Sequence, residues 1–183
     1  MRLPFLLTLL LAAASANASA ADYTAQAGST LGFAGSYQGE AFSGRFAKFT
    51  PAIRFDPADL ATARFDVRIN VASASTGNPD YDGEMLGASF LDSVAQPEAR
   101  YVATKFRALG GNRFVAEGQL TLRGITQPAP LTFTWTAGEK PVLAGEAVLR
   151  RLQFDVGTGD WSDPEVIADE VKVVTRLVLA PSK

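Results

Sequence analysis

Asp155, Asp160, Asp163, Glu165, Asp169 and Glu170 form the densest run of carboxylates in the chain. Paired carboxylates can act as acid and base in glycoside hydrolysis, but that chemistry needs two of them to converge across a cleft, which crowding along one loop does not supply. Asn78-Pro79-Asp80-Tyr81-Asp82-Gly83 carries the first half of a calcium loop. The position where a bidentate glutamate belongs is Ser89, and Pro79 intrudes at the second place, so a solvated loop capping a helix is the simpler reading. Gly157-Thr158-Gly159 has the composition of an anion-binding nest, yet Asp160 and Trp161 follow where a helix start with a lysine is wanted. Ser29, Thr30, Ser43 and Thr76 offer hydroxyls, but the chain has no histidine to activate them, and no cysteine. Lysine or a carboxylate would have to serve as the base. The missing residue types exclude thiol nucleophiles, histidine triads, Cys/His zinc sites and axial histidine for haem. What remains is carboxylates, hydroxyls, amides, aromatics, a few cations, and shape.

The elements that would position these groups begin after an N-terminal leader. MRLPFLLTLLLAAASANASAADY has one basic residue, an apolar core from Leu3 to Ala14, and small residues in A-x-A order. This is the anatomy of a cleaved secretory signal over residues 1–20, cut after Ala18 or Ala20, and its core is too short for the roughly 20 residues a spanning helix needs. A retained anchor is the alternative, and with no cysteine at the cut, lipid attachment there is excluded. Residues 21–183 suit one domain with a real core. The net charge of −2 is spread along the chain with acids and bases mixed. It forms no basic stripe for nucleic acid. Localisation in the periplasm follows from the leader, and stability without disulfides must come from packing and backbone hydrogen bonds.

Phe65-Asp66-Val67-Arg68-Ile69-Asn70-Val71 alternates apolar and polar without error, the period of a strand with one wet and one dry face. Val171, Val173, Thr175, Leu177 and Leu179 repeat the pattern, and Leu131–Thr136 is rich in strand formers. Further strands are expected at Thr30–Tyr37, Ala41–Phe49, Ala52–Phe55, Arg100–Leu109, Phe114–Leu122 and Ala144–Leu149, separated by turn signals such as Gly110-Gly111-Asn112. Asn78 to Ser93 differs, with Met85, Leu86, Phe90 and Leu91 at helical spacing. The pattern predicts an all-β fold, a single antiparallel sandwich or barrel with one or two short helices inserted near residues 78–93 and covering an open end. LQFDVGTGDW, Leu152 to Trp161, reads as the end of one strand and the loop leading to the last. A barrel of about eight strands is just wide enough to be filled by side chains or to hold one small ligand. The chain has 12 Phe, 2 Trp and 4 Tyr for such an interior, and strand glycines (Gly32, Gly35, Gly44, Gly118, Gly145) leave space within it. A solid core and a hollow one both fit.

Five stretches in order resemble the YceI-like family of exported lipid-binding proteins: GEAFSGRFAKFTPAIRFDP (Gly39–Pro57), RFDVRINVASASTGNPDYDGEML (Arg64–Leu86), SFLDSVAQPEARYVATKF (Ser89–Phe106), AEGQLTLRGITQPAPLTF (Ala116–Phe133) and RLQFDVGTGDWSDPEVIADEVKV (Arg151–Val173). The resemblance runs from about Tyr23 to Ala180. It implies a lipocalin-like antiparallel barrel whose tubular cavity holds an isoprenoid lipid or a quinone tail, and a membrane cytochrome of the b561 type as partner. Relatives often carry a histidine in the early strand where this chain has Phe33-Ala34-Gly35, so any head-group contact made by that histidine has no counterpart here. Arg151 and Asp169 match charged family positions, with a structural or entrance role expected.

An isoprenoid chain needs a long apolar tunnel, few polar anchors and no acid-base machinery. The candidate ligand-binding residues are the aromatics Phe33, Phe42, Phe46, Phe65, Phe90, Phe106, Phe133 and Trp135, with Val67, Ile69, Leu120 and Leu122. Ordinary core packing is the alternative for each, and a homodimer contact is the other use for a dry face. The reading is a periplasmic, non-enzymatic carrier of an isoprenoid lipid or quinone, with no catalytic residue, metal or catalytic cofactor. A carboxylate-based hydrolase or isomerase in a similar barrel, and a solid-core module that binds another envelope protein, are the rivals.

Overall fold

The structure, a computed structural model, describes residues 21–182; the expected leader lies outside them. The strands are β1 (Ala21–Ala25), β2 (Thr30–Tyr37), β3 (Glu40–Phe46), β4 (Phe49–Phe55), β5 (Arg64–Asn70), β6 (Ala74–Ser75), β7 (Glu98–Gly110), β8 (Arg113–Leu122), β9 (Ile125–Pro128), β10 (Leu131–Thr136), β11 (Val142–Arg150) and β12 (Glu170–Pro181). Each neighbouring pair is antiparallel.

These strands close into an eight-stranded barrel because two of its staves are each made of two strands laid end to end. β1 and β2 share the partner β12, pairing with its last and first residues respectively. Beside them, β4 pairs with β1 and β3 with β2. The circuit then runs through β5, β7, β8, β10 and β11 back to β12. Both composite staves break at one level, between Ala25 and Thr30 and at Ala47-Lys48. The first break is stitched rather than open: Gln26 N–H donates to Val178 O at 2.8 Å, and Ser29 Oγ accepts from Val178 N–H at 3.0 Å.

The inward faces follow the alternation. In β5, Phe65 and Ile69 are buried while Arg64, Arg68 and Asn70 face solvent. Around the barrel, Ile53, Phe55, Phe65, Phe114, Phe133, Trp135, Leu143 and Leu179 fuse into one packed core. That core fills one half of the barrel.

One helix, α1 (Pro79–Leu86), crosses the other half. Its start is written locally: Asn78 Oδ1 accepts from Asp80 N–H at 3.0 Å and proline occupies the first turn, where its missing donor costs nothing. Residues 87–93 continue as turns instead of a second helix. The segment Leu152–Trp161 contains no strand: β11 ends at Arg150, and 3-10 turns at Arg151–Phe154 and Gly159–Trp161 bracket a loop. The loop half of that expectation stands. Its strand half is corrected, because the chain leaves the ladder to bury Arg151, which is 4 % exposed.

Candidate functional site

Where the packed core stops, the barrel is hollow. A cavity of about 470 Å3 occupies the half beneath α1, with a floor at Ile53, Phe65, Leu143 and Leu177, side chains shared with the packed half. The volume lies within the roughly 300–1,000 Å3 of sites for small organic ligands. Solid packing and an empty interior therefore both occur, one at each end.

Nine of the side chains singled out from sequence line this cavity: Phe33, Phe42, Phe46, Phe65, Val67, Ile69, Phe90, Leu120 and Leu122. Phe106, Phe133 and Trp135 do not, and their expected place on the cavity is corrected. Phe133 and Trp135 belong to the packed core and Phe106 lies against it. The Phe106 ring stands 4.7 Å from that of Phe65, and Trp135 stands 4.9 Å from Phe55. Alternation assigns a side chain to a face; depth along the barrel axis is a separate coordinate that it does not report.

Sequence reasoning left out much of the wall. β12 contributes Val171, Val173, Thr175 and Leu177, and β11 contributes Leu143, Ala147 and Leu149. The β12 alternation carried that signal and could have placed all four. Tyr37, Tyr81, Glu84 and Trp161 come from segments outside the regular strand interiors and meet at the rim, where the Tyr37 and Tyr81 rings stack edge-on at 6.3 Å and Phe90 meets Trp161 at 5.6 Å.

Two of the large wall rings lie flat because glycine sits under them. Phe33 of β2 pairs directly with Gly44 of β3, and Phe42 of β3 pairs with Gly35 of β2. A Cβ on Gly35 would stand 2.7 Å from Phe42 Cζ, and a Cβ on Gly44 would overlap the Phe33 ring. Across the barrel the Tyr101 ring covers Gly118 in the same way. Burial pushes the Tyr101 phenol well above its ordinary pKa, and its hydroxyl lies 3.3 Å from Ala116 O.

The acidic groups that opened the sequence argument lie elsewhere. Asp155, Asp160, Asp163, Glu165 and Glu170 are exposed. Asp169 is half-buried and structural, accepting from Leu152 N–H at 3.1 Å and from Arg150 Nη1 at 3.3 Å. Asp82 turns back on the chain before α1: Ser75 Oγ and Thr76 N–H each donate to it at 2.6 Å, and Thr76 Oγ1 at 2.7 Å. Those bonds, the serine's foremost, hold its carboxyl below the usual aspartate range.

Arg151 is the exception among charged groups, because it is both buried and part of the cavity wall. Its Nη1 donates to Val156 O at 2.8 Å and Gly157 O at 2.9 Å, its Nη2 to Ile167 O at 2.7 Å, and its Nε to Ala168 O at 3.2 Å. It thereby ties the rim loop to the chain entering β12. Burial lowers its pKa, with the Asp169 charge opposing. On the opposite side of that loop, Gly157 N–H donates to Ser89 O at 2.8 Å, and Arg123 Nη1 reaches Ala88 O at 2.8 Å.

The geometry defines a class: closed antiparallel barrels, packed at one end and hollow at the other, whose apolar cavity opens under a short helix. A family model described as YceI-like domain matches residues 23–179, and the chain belongs to that family. A UPF0312 protein of Vibrio parahaemolyticus is 27 % identical over 169 residues, covering 85 % of this chain and 89 % of that one. The crystal structure of BcnA from Burkholderia cenocepacia superposes with a TM-score of 0.79 at 30 % identity, over 82 % of this chain and 95 % of the other. A polyisoprenoid binding domain from Saccharophagus degradans, implicated in plant cell wall breakdown, shares the fold at TM-score 0.68 and 15 % identity, over 90 % of this chain and all of that one.

Proposed function

We propose that this protein is an exported, non-enzymatic carrier that holds an isoprenoid lipid or quinone tail in the hollow half of its barrel. The observation that carries the reading is the apolar cavity of about 470 Å3 ending on a packed aromatic floor. A floor of that kind suits a tail that enters from the rim and stops. Transfer of apolar surface from water into such a site gains about 25 cal/mol per Å2. The polar side chains on the wall are few and dispersed, and none of the acids of residues 155–170 lines it. The binding named for the Saccharophagus domain supports the same chemistry. The periplasm, with exchange to or from a quinone-using membrane cytochrome of the b561 type, is the setting in which such a carrier would work.

Mass spectrometry of an organic extract, made from protein purified from its native envelope without detergent, tests this. A polyprenyl or quinone species at near one per chain is expected. An empty extract from folded protein that also takes up no apolar dye overturns the reading. Turnover lost in a folded Asp or Glu variant would favour the hydrolase instead.

A further inference from the structure

Along β8 the ladder is taken up in one register by two strands, β10 opposite residues 113–116 and β9 opposite residues 119–122. Between them Ala129 N–H donates to Gly118 O at 2.8 Å. On its other side this stave stops short. β11 pairs with β10 as far as Thr132 opposite Glu146, and residues 147–150 beyond it have no strand partner on that side among the described residues. The cause is written in the sequence. Because Ala129 turns its N–H toward β8, the alternate residues Pro128 and Pro130 turn their backbone toward β11, and proline has no N–H to donate. Continued in register, Pro130 would stand opposite Val148 and Pro128 opposite Arg150.

Side chains close what the ladder leaves. Phe154, at the end of the 3-10 turn Arg151–Phe154, is 1 % exposed and packs in a cluster with Leu120, Ala129, Ile125, Leu149 and Val156. Phe154, Ala129 and Leu149 also line the cavity, so at this seam the cavity is bounded by side chains and not by paired backbone. Outside stand Val148, 58 % exposed, and the exposed Pro128 and Pro130, which makes the seam apolar on both faces. The one direct hydrogen bond across it among the described residues runs from Gln127 Nε2 to Gln153 O at 3.3 Å, in contact with solvent. Parting β11 from β12 would instead break a ladder running from Val142 to Arg150. The base of the turn is fixed by the carbonyls around Arg151 and by Asp169 on the Leu152 amide. Asp155, just past Phe154, is held at a left-handed φ of 55°, which is costly for a residue other than glycine, so the closed turn carries strain that an outward swing relieves.

We propose that this seam is a gate: the mouth of the cavity continues down the side wall as a slot, closed by Phe154, through which a guest slides sideways when the 3-10 turn swings away from β9. The inference rests on the carrier reading and concerns the route, whatever the guest. Sideways passage spares a long chain from being threaded end-on past the rim pair Phe90 and Trp161. A gate of this kind changes the rates of entry and exit together and leaves the resting complex, hence the affinity, as it was.

The chain has no cysteine, so Gln127→Cys with Gln153→Cys places a single pair of thiols across the seam. Tied by a short bis-methanethiosulfonate that reductant removes, the lipid-stripped mature protein is mixed with Nile red in a stopped-flow fluorimeter. The tie should slow dye association and dissociation alike, about tenfold or more, with the equilibrium affinity held within about twofold, and reductant should restore both rates. Phe154→Leu, which puts a smaller side chain in the slot, should raise both rates. Rates unchanged by the tie, or unchanged in folded Phe154→Leu, overturn the proposal and leave the carrier reading intact, the guest then passing under α1. A tie that weakens affinity without slowing entry also overturns it, since the seam would then only shape the pocket. No dye binding by the untied protein overturns both readings. Should Phe154→Leu fail to fold, the tie decides alone.

Discussion

Phe55 is the residue around which the packed half is organised. Its ring meets those of Phe114 at 5.1 Å, Phe133 at 5.2 Å and Trp135 at 4.9 Å, two of them edge-on, the arrangement that aromatic quadrupoles favour. Phe55→Ala should cost about 3–5 kcal/mol in urea denaturation while leaving apolar dye uptake unchanged, since Phe55 does not line the cavity. Asp66 works on the outer wall, accepting from Arg100 Nε at 2.8 Å and Nη2 at 2.6 Å. The Arg100 hydrogen bonds hold its carboxyl below the ordinary aspartate value, against a smaller opposing effect of burial. A depressed folded-state pKa gives stability that is fully present above the unfolded value of about 4 and is lost as the pH falls through the folded one. Denaturation midpoints measured from pH 7 down to pH 2 should therefore decline more steeply below pH 4 than those of Asp66→Asn. Gly157 and Gly159 both have positive φ, 73° and 63°. Open space surrounds a Cβ at Gly159, whereas at Gly157 it would strike the Arg151 guanidinium. Gly159→Ala should cost about 1–2 kcal/mol and Gly157→Ala distinctly more.

Among the elements, the strands were legible and the ends were not. Period-2 runs located β2, β5, β8, β10, β11 and β12 to within a few residues, because one face of each is wet and the other dry. β9 leaves no periodic signal, since a four-residue strand folded back on the end of β8 has too little length for a pattern. The break at Ala47-Lys48 was invisible for a different reason: it answers to the break in the neighbouring stave, a long-range constraint with no local spelling. Arg151 likewise gave no periodic signal, and only the carbonyls gathered from residues 156–168 explain its burial. The helical spacing of Met85 and Leu86 predicts α1, and both pack against the Leu31, Ile69 and Val71 cluster, yet the helix has no fully buried residue and is otherwise held through Asp82, the Tyr37–Tyr81 contact and the turns after it. An element so lightly held opens locally at little cost. Its amides should exchange with solvent well before those of β5 and β7, and protection equal to theirs would mean that the helix is not a separately opening unit.

At the scale of the whole molecule, the barrel separates stability from capacity along its axis. Enlarging a side chain in the hollow half and truncating one in the packed half should have opposite signatures. Ala147→Phe, on the wall, should lower apolar dye uptake about tenfold or more with little loss of stability, the added ring occupying space that is otherwise empty. Phe133→Ala should cost about 3–5 kcal/mol and leave uptake intact. Coupled losses in both variants would show that the two halves form one cooperative packing unit. The rings lying over glycine carry a consequence of their own. Phe33, Phe42 and Tyr101 are held flush by the hydrogen atoms of Gly44, Gly35 and Gly118, so the calibre of the bore is set at positions a guest never meets. A single methyl added behind a ring would tip it inward and choke the passage by a fraction of its width, making these three glycines the natural adjusting screws for the girth of the molecule that is let in.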